Sequence, residues 1–173
     1  MQATRAVTRS NARLRVLPAV ALGIAFAAGV ALSPAFARSA AFAGMAGSWV
    51  GEGAIDLSNG SREPIRCRAR YAVGAGGNEM QQDLVCASDS YRFNVDSNVV
   101  EDGGEISGTW NESTRNVGGE VSGVARGGQI DAQVSGGAFV ARLTVQTNGN
   151  SQFVTIQPQG TDVRAVSVRL RKR

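Results

Sequence analysis

Between residues 65 and 73 apolar and basic side chains alternate without a break. Ile65, Cys67, Ala69, Tyr71 and Val73 interleave with Arg66, Arg68 and Arg70. Side chains two apart share a face of a strand, so this run predicts a strand with one apolar and one arginine face. Gly74-Ala75-Gly76-Gly77-Asn78 turns the chain, and Met80, Gln82, Leu84 and Cys86 carry the apolar face back. Without a bulge, paired positions sum to 153, setting Ala69 opposite Leu84, Arg70 opposite Asp83 and Cys67 opposite Cys86. The cysteines do not enter the choice of register, so their meeting supports it.

The same alternation continues on both sides of this hairpin. Residues 49–57 predict a strand with Trp49, Gly51, Gly53, Ile55 and Leu57 inward. A three-residue turn at Asn59-Gly60-Ser61, with pairs summing to 120, sets Ile55 against Ile65, Trp49 against Tyr71 and Glu52 against Arg68. Further strands are expected at 91–100 (Tyr91, Phe93, Val95 and Val99 inward), 105–112 (Ile106, Gly108 and Trp110 inward), 117–126 and 129–135. Three more are expected at 139–146, 152–157 and 163–171. No segment after residue 46 repeats at the helical period. Consecutive strands joined by short turns form a meander, and a long meander closes on itself. The expected fold is all-β: one antiparallel meander barrel of about eight to ten strands, with the last strand beside the first. A bulge in any hairpin would shift its pairs and swap faces, and a sandwich is the alternative to closure.

Residues 1–37 have the layout of a secretory signal peptide. Arg5, Arg9, Arg13 and Arg15 precede an apolar run at 17–32, and Ala35-Phe36-Ala37 predicts cleavage before Arg38. The run is shorter than the roughly 20 residues a membrane anchor needs, and Pro18 and Pro34 flank it. The domain plan is therefore leader 1–37, flexible lead-in 38–46 and barrel 47–173, with a periplasmic or secreted destination. Of the 18 basic residues, five lie at or before Arg38, leaving 13 against 14 acidic ones. The high isoelectric point thus belongs to the leader, and a nucleic-acid partner gains no support. In an oxidising compartment Cys67 and Cys86 are expected to be disulfide-bonded.

The chain has no histidine. That removes the commonest general base and most zinc, copper and haem sites, so no catalytic residue, metal or cofactor is expected. Acidic residues fall in turns (Asp89, Glu101, Asp102) or on the outer face (Glu52, Asp56, Asp83, Asp96). An outer-membrane barrel is not expected, because the face opposite the apolar one carries Arg66, Arg68, Arg70, Arg92, Asn94 and Asp96.

Glycine or alanine recurs on the inward face, at Gly51, Gly53, Ala69, Gly108, Gly119, Gly123, Ala132 and Ala141. Either the barrel is small and self-filled, or its interior has room for a ligand. In the second case Trp49, Tyr71, Tyr91, Phe93 and Trp110 bound the ligand site and Gln82 is its one polar inward group. The arginine stripe (Arg66, Arg68, Arg70, with Arg169 and Arg171) is either a solvated outer face or a docking patch for an acidic partner.

Gly47-Ser48-Trp49 opening the first strand, and Gly108-Thr109-Trp110 at the fifth, resemble the G-x-W element of calycin-type barrels. In lipocalins, avidin-like and fatty-acid-binding proteins a tryptophan near the first strand closes one barrel end. The leader, early G-x-W, single disulfide and basic C-terminal end also resemble metalloprotease-inhibitor barrels of Gram-negative bacteria. Taken whole, the chain resembles uncharacterised exported proteins of those bacteria. The expected function is non-catalytic binding of a small, apolar ligand inside an exported barrel. The alternatives are a protein-binding module of inhibitor type, acting through its N-terminal tail or the arginine stripe, and a structural envelope protein without a discrete site.

Overall fold

The computed structural model describes residues 40–173, so the expected leader lies outside the described residues. Ten strands follow a single 3₁₀ turn (Ala43–Met45): β1 (Gly47–Leu57), β2 (Arg62–Val73), β3 (Glu79–Ala87), β4 (Arg92–Asp102) and β5 (Glu105–Glu112). Then come β6 (Val117–Arg126), β7 (Gln129–Gly136), β8 (Phe139–Asn148), β9 (Ser151–Pro158) and β10 (Val163–Lys172). Each strand pairs antiparallel with its sequence neighbours, and β10 closes on β1, giving a ten-stranded closed meander barrel. Two hairpins turn on Gly103-Gly104 and Gly127-Gly128, with every glycine at positive φ. Such a two-residue turn matches the right-handed twist of the flanking strands, and only glycine takes both positions without strain.

The β2–β3 register is the one the alternation predicts. Cys67 lies opposite Cys86, Ala69 opposite Leu84 and Arg70 opposite Asp83, and the two cysteines are disulfide-bonded. The β1–β2 register differs: pairs sum to 118, so Trp49 faces Ala69, Ile55 faces Glu63 and Glu52 faces Arg66. The cause is the turn. Gly60 takes a φ of 86°, the left-handed position that ends a three-residue hairpin loop, so the loop is Ser58-Asn59-Gly60. The Asn59 side-chain oxygen accepts hydrogen bonds from the Ser61 N–H (2.9 Å) and hydroxyl (2.6 Å), fixing the exit. A slip of two residues per pair leaves every side chain on its expected face, which is why the apolar wall survives the change.

The inward glycines do not make room. A β-carbon on Gly51 would run into the carbonyl of Arg169, on Gly53 into that of Ser167, and on Gly108 into that of Asn98. Gly119 and Gly123 meet the backbone of β7 in the same way. These positions are where one strand's backbone folds closely over the next, the barrel's corners, and the space is filled by main chain.

The lead-in is, from Ala40 onward, a seated cap rather than a flexible tail. Phe42 is fully buried and Met45 nearly so. The Phe42 N–H donates to the Gly77 carbonyl (2.9 Å), and the Trp49 indole N–H donates to the Met45 carbonyl (2.7 Å). Lys172 closes the arrangement from the C-terminus: its ammonium lies 5.4 Å from the Trp49 ring and donates to the Gly44 carbonyl at 3.1 Å. Two large apolar residues in a run of glycine and alanine thus stopper the barrel end where β1 begins.

Candidate ligand site at the open end of the barrel

Inward side chains differ in exposure along the barrel axis. Near the cap they are buried: Trp49, Tyr71, Met80, Val99, Ile106, Ala125, Ile130, Val145 and Leu170. Towards the other end, past the barrel waist, Leu84, Val95, Phe93, Trp110, Leu143 and Ile156 face inward yet are only half-buried. The exceptions are Ile55 on β1, Ile65 and Cys67 on β2, Cys86 on β3, Glu112 on β5, Ala132 on β7 and Ala141 on β8, all of them buried. The inner wall thus keeps some exposure away from the cap, over an apolar and aromatic surface contributed chiefly by β3 to β10.

The six expected ligand-site residues divide between the two ends. Trp49 and Tyr71 lie at the stoppered end, rings edge-on at 6.3 Å. The Tyr71 hydroxyl donates to the Gln152 side-chain oxygen (2.8 Å), whose amide in turn donates to Thr147 (3.0 Å). Burial pushes the Tyr71 phenol up, with the Gln152 bond pulling weakly the other way, so it stays protonated. These two residues make the floor. Gln82, Tyr91, Phe93 and Trp110 stand on the half-exposed wall. Tyr91 and Phe93 stack in parallel at 6.1 Å, and Trp110 meets Phe139 edge-on at 5.7 Å while its indole N–H donates to the Ser135 carbonyl (3.1 Å).

Gln82 is not the one polar inward group. Ser97, Glu101, Glu112 and Gln152 are inward and buried as well. Glu101, expected in a turn, is inward because β4 runs on to Asp102, and its carboxylate accepts from the Gly104 N–H. Glu112 ends β5 and organises the mouth. Its carboxylate accepts from the N–H groups of Asn94 (3.0 Å), Thr114 (3.0 Å) and Arg115 (2.9 Å), and from the Arg115 guanidinium (3.4 Å). That guanidinium lies 5.0 Å from the centre of the Phe93 ring. A polar signal existed in the sequence: continuing the β5 alternation two places past Trp110 lands on Glu112.

Burial works to raise the Glu112 carboxyl, but the bonds from Asn94, Thr114 and Arg115 outweigh it and hold the group at about 2. A carboxyl held below its unfolded value stabilises the fold above that value, near pH 4.5, and loses this contribution as pH falls towards 2. Glu112→Gln should therefore cost on the order of 2 kcal/mol at neutral pH, through loss of charge-assisted bonds in a buried site. The gap between the two proteins should close as pH falls from 4.5 to 2 in urea melts, because protonation gives the native protein the same defect. A gap independent of pH would mean that shape, not charge, holds the β5–β6 loop.

The arginine stripe is an outer wall. Arg66 pairs with Glu52 at 3.2 Å, both largely exposed, and Arg62 pairs with Asp56 at 3.5 Å. Arg169 lies opposite Glu52 across the β1–β10 closure and 5.9 Å from the Phe153 ring, and Arg171 donates to the Ser151 hydroxyl. Arg68 stands between Val50 and Val85, and Arg70 between Ser48 and Asp83. Exposed pairs of this kind contribute about 0–1 kcal/mol each.

No family model and no curated protein matches the chain. Two of the solved structures that share its shape are the following. Rv2717c from M. tuberculosis superposes with a TM-score of 0.62 at 12% identity, over 77% of this chain and 95% of its own. The S-type phycobiliprotein lyase CPES from Guillardia theta gives 0.51 at 14% identity, over 76% and 89%. At such identities the likeness bears on the fold alone. With a closed ten-stranded meander, a capped end and these structural neighbours, the chain folds as a calycin-like β-barrel.

Proposed function

We propose that this is an exported, non-catalytic binding protein that holds a small, mostly apolar molecule in the open half of its barrel. The observation that carries the reading is the half-exposed inner wall of Leu84, Val95, Phe93, Trp110, Leu143 and Ile156, opposite a stoppered end. Apolar surface is left accessible inside a barrel at a cost, and a ligand entering there would bury it. The two buried inward carboxylates are already engaged by backbone N–H groups, and Glu112 is held deprotonated by its donors, so neither is poised as a general acid or base. The Cys67–Cys86 bond supports export, since such bonds persist in oxidising compartments. The outer wall, with Arg66, Arg68, Arg70, Arg169 and Arg171, is unsuited to lipid, and no helix among the described residues is long and apolar enough to cross a membrane.

Titration with N-phenyl-1-naphthylamine, an uncharged probe that brightens in apolar sites, tests the reading. Saturable binding at one site per chain is expected. Trp110→Ala should weaken it about ten-fold, the effect of removing one aromatic wall. Phe153→Ala, on the outer face beside Arg169, should leave it unchanged. Absence of saturable binding, or equal effects of the two substitutions, would sink the proposal.

A further inference from the structure

We infer, resting on the ligand reading above, that the bound molecule carries an uncharged hydrogen-bonding head lodged between Gln82 and Ser97. Tyr71, Gln82, Ser97 and Trp110 lie opposite one another in turn across β2, β3, β4 and β5, forming one inward row that climbs with the strand tilt from the floor at Tyr71 through the waist to Trp110. The row above it is Ala69, Leu84, Val95 and Glu112, and the row below is Val73, Met80, Val99 and Gly108. The two outer members of the waist row have spent their polar atoms, Tyr71 on Gln152 and Trp110 on the Ser135 carbonyl. The two inner members have not. Among the described residues neither the Gln82 amide nor the Ser97 hydroxyl makes a hydrogen bond, although Ser97 is only 7% exposed. Neither is a sealed group, since no buried side-chain polar atom among the described residues lacks a partner; their polar atoms stay reachable and offer both donors and acceptors within a largely apolar wall.

The charges around the interior select against an ionised head. Among the described residues the inward-facing charged side chains are Glu63, Glu101, Glu112 and Lys172. The lysine is committed to the Gly44 carbonyl and Trp49 at the stoppered end. Arg115 at the mouth is held by Glu112 and the Arg92 carbonyl. Among the described residues a carboxylate would find no free cation at the waist, and an ammonium would find no unengaged carboxylate there. A primary amide, a lactam or an alcohol on an apolar body would satisfy both side chains without carrying charge into the barrel.

Competition against the naphthylamine probe decides the matter, using the full mature chain and four dodecyl compounds: the amide, the alcohol, the carboxylate and the ammonium. The amide and the alcohol should displace the probe at least ten-fold more effectively than either ion at pH 7. Gln82→Met and Ser97→Ala, both close in volume, should each erase that preference, whereas Phe153→Ala on the outer face should leave it intact. Preference for an ion, or a neutral preference that survives both substitutions, would overturn the assignment and leave the apolar site standing. If the probe itself does not bind, the ligand reading falls and this inference with it.

Discussion

Trp49→Ala should be the most damaging single substitution in the barrel, costing about 4 kcal/mol, as for deletion of a fully buried aromatic. Trp49 has no exposed surface, meets Tyr71 edge-on, and anchors the cap through its indole N–H to the Met45 carbonyl. Removing it leaves a void, an unsatisfied Met45 carbonyl and a Lys172 with no ring beneath it. Trp49→Phe keeps most of the ring and loses the hydrogen bond, so about 1–2 kcal/mol is expected. Guanidinium melts would give both numbers, and an alanine variant within 1 kcal/mol of the native protein would show the cap to be dispensable. Probe binding separates the two tryptophans. Trp110→Ala, at the half-exposed end, should weaken binding and change stability far less. Truncating residues 38–46 should destabilise, because Phe42 and Met45 are core residues. That withdraws both from any role as a free tail.

The two G-x-W elements show how much a sequence can and cannot carry. Both tryptophans were legible as inward, because the period of two fixes the face of every residue once one is known. Their depth was not, since depth depends on which end is stoppered. The stopper is written in Phe42 and Met45, three apart in a run of small residues with no strand period. The same limit applied to Tyr71, grouped with Tyr91 and Phe93 on the strength of its face alone. The β2–β3 hairpin was readable down to its disulfide because its alternation is unbroken on both sides of the turn. The β1–β2 hairpin was readable in its faces but not its register. There the deciding fact was that Gly60 ends the loop rather than centres it, a left-handed position for which glycine is the usual residue. Inward glycines were ambiguous in principle: a missing side chain can mean empty space or a neighbouring backbone, and here it means backbone.

The second large effect expected is that of the staple. Replacing both cysteines, Cys67→Ala with Cys86→Ala, should cost about 3 kcal/mol, since the bond closes a loop spanning 19 positions and restricts the unfolded chain. Against the 5–15 kcal/mol typical of a domain this is large but survivable, so the variant should fold and melt about 10–15 °C lower. The ladder on either side explains why it should still fold: the β2–β3 pairing is continuous from Arg66–Ala87 to Val73–Met80 without the bond. Access makes a second, kinetic expectation. The cysteines are 3% and 6% exposed on the inner wall, where Ile55 and Ile65 are also buried. Dithiothreitol should therefore leave the native bond intact over hours and cleave it only as denaturant opens the barrel, which thiol counting across a guanidinium series would follow. Ready reduction without denaturant would mean that the β1–β2 wall opens locally.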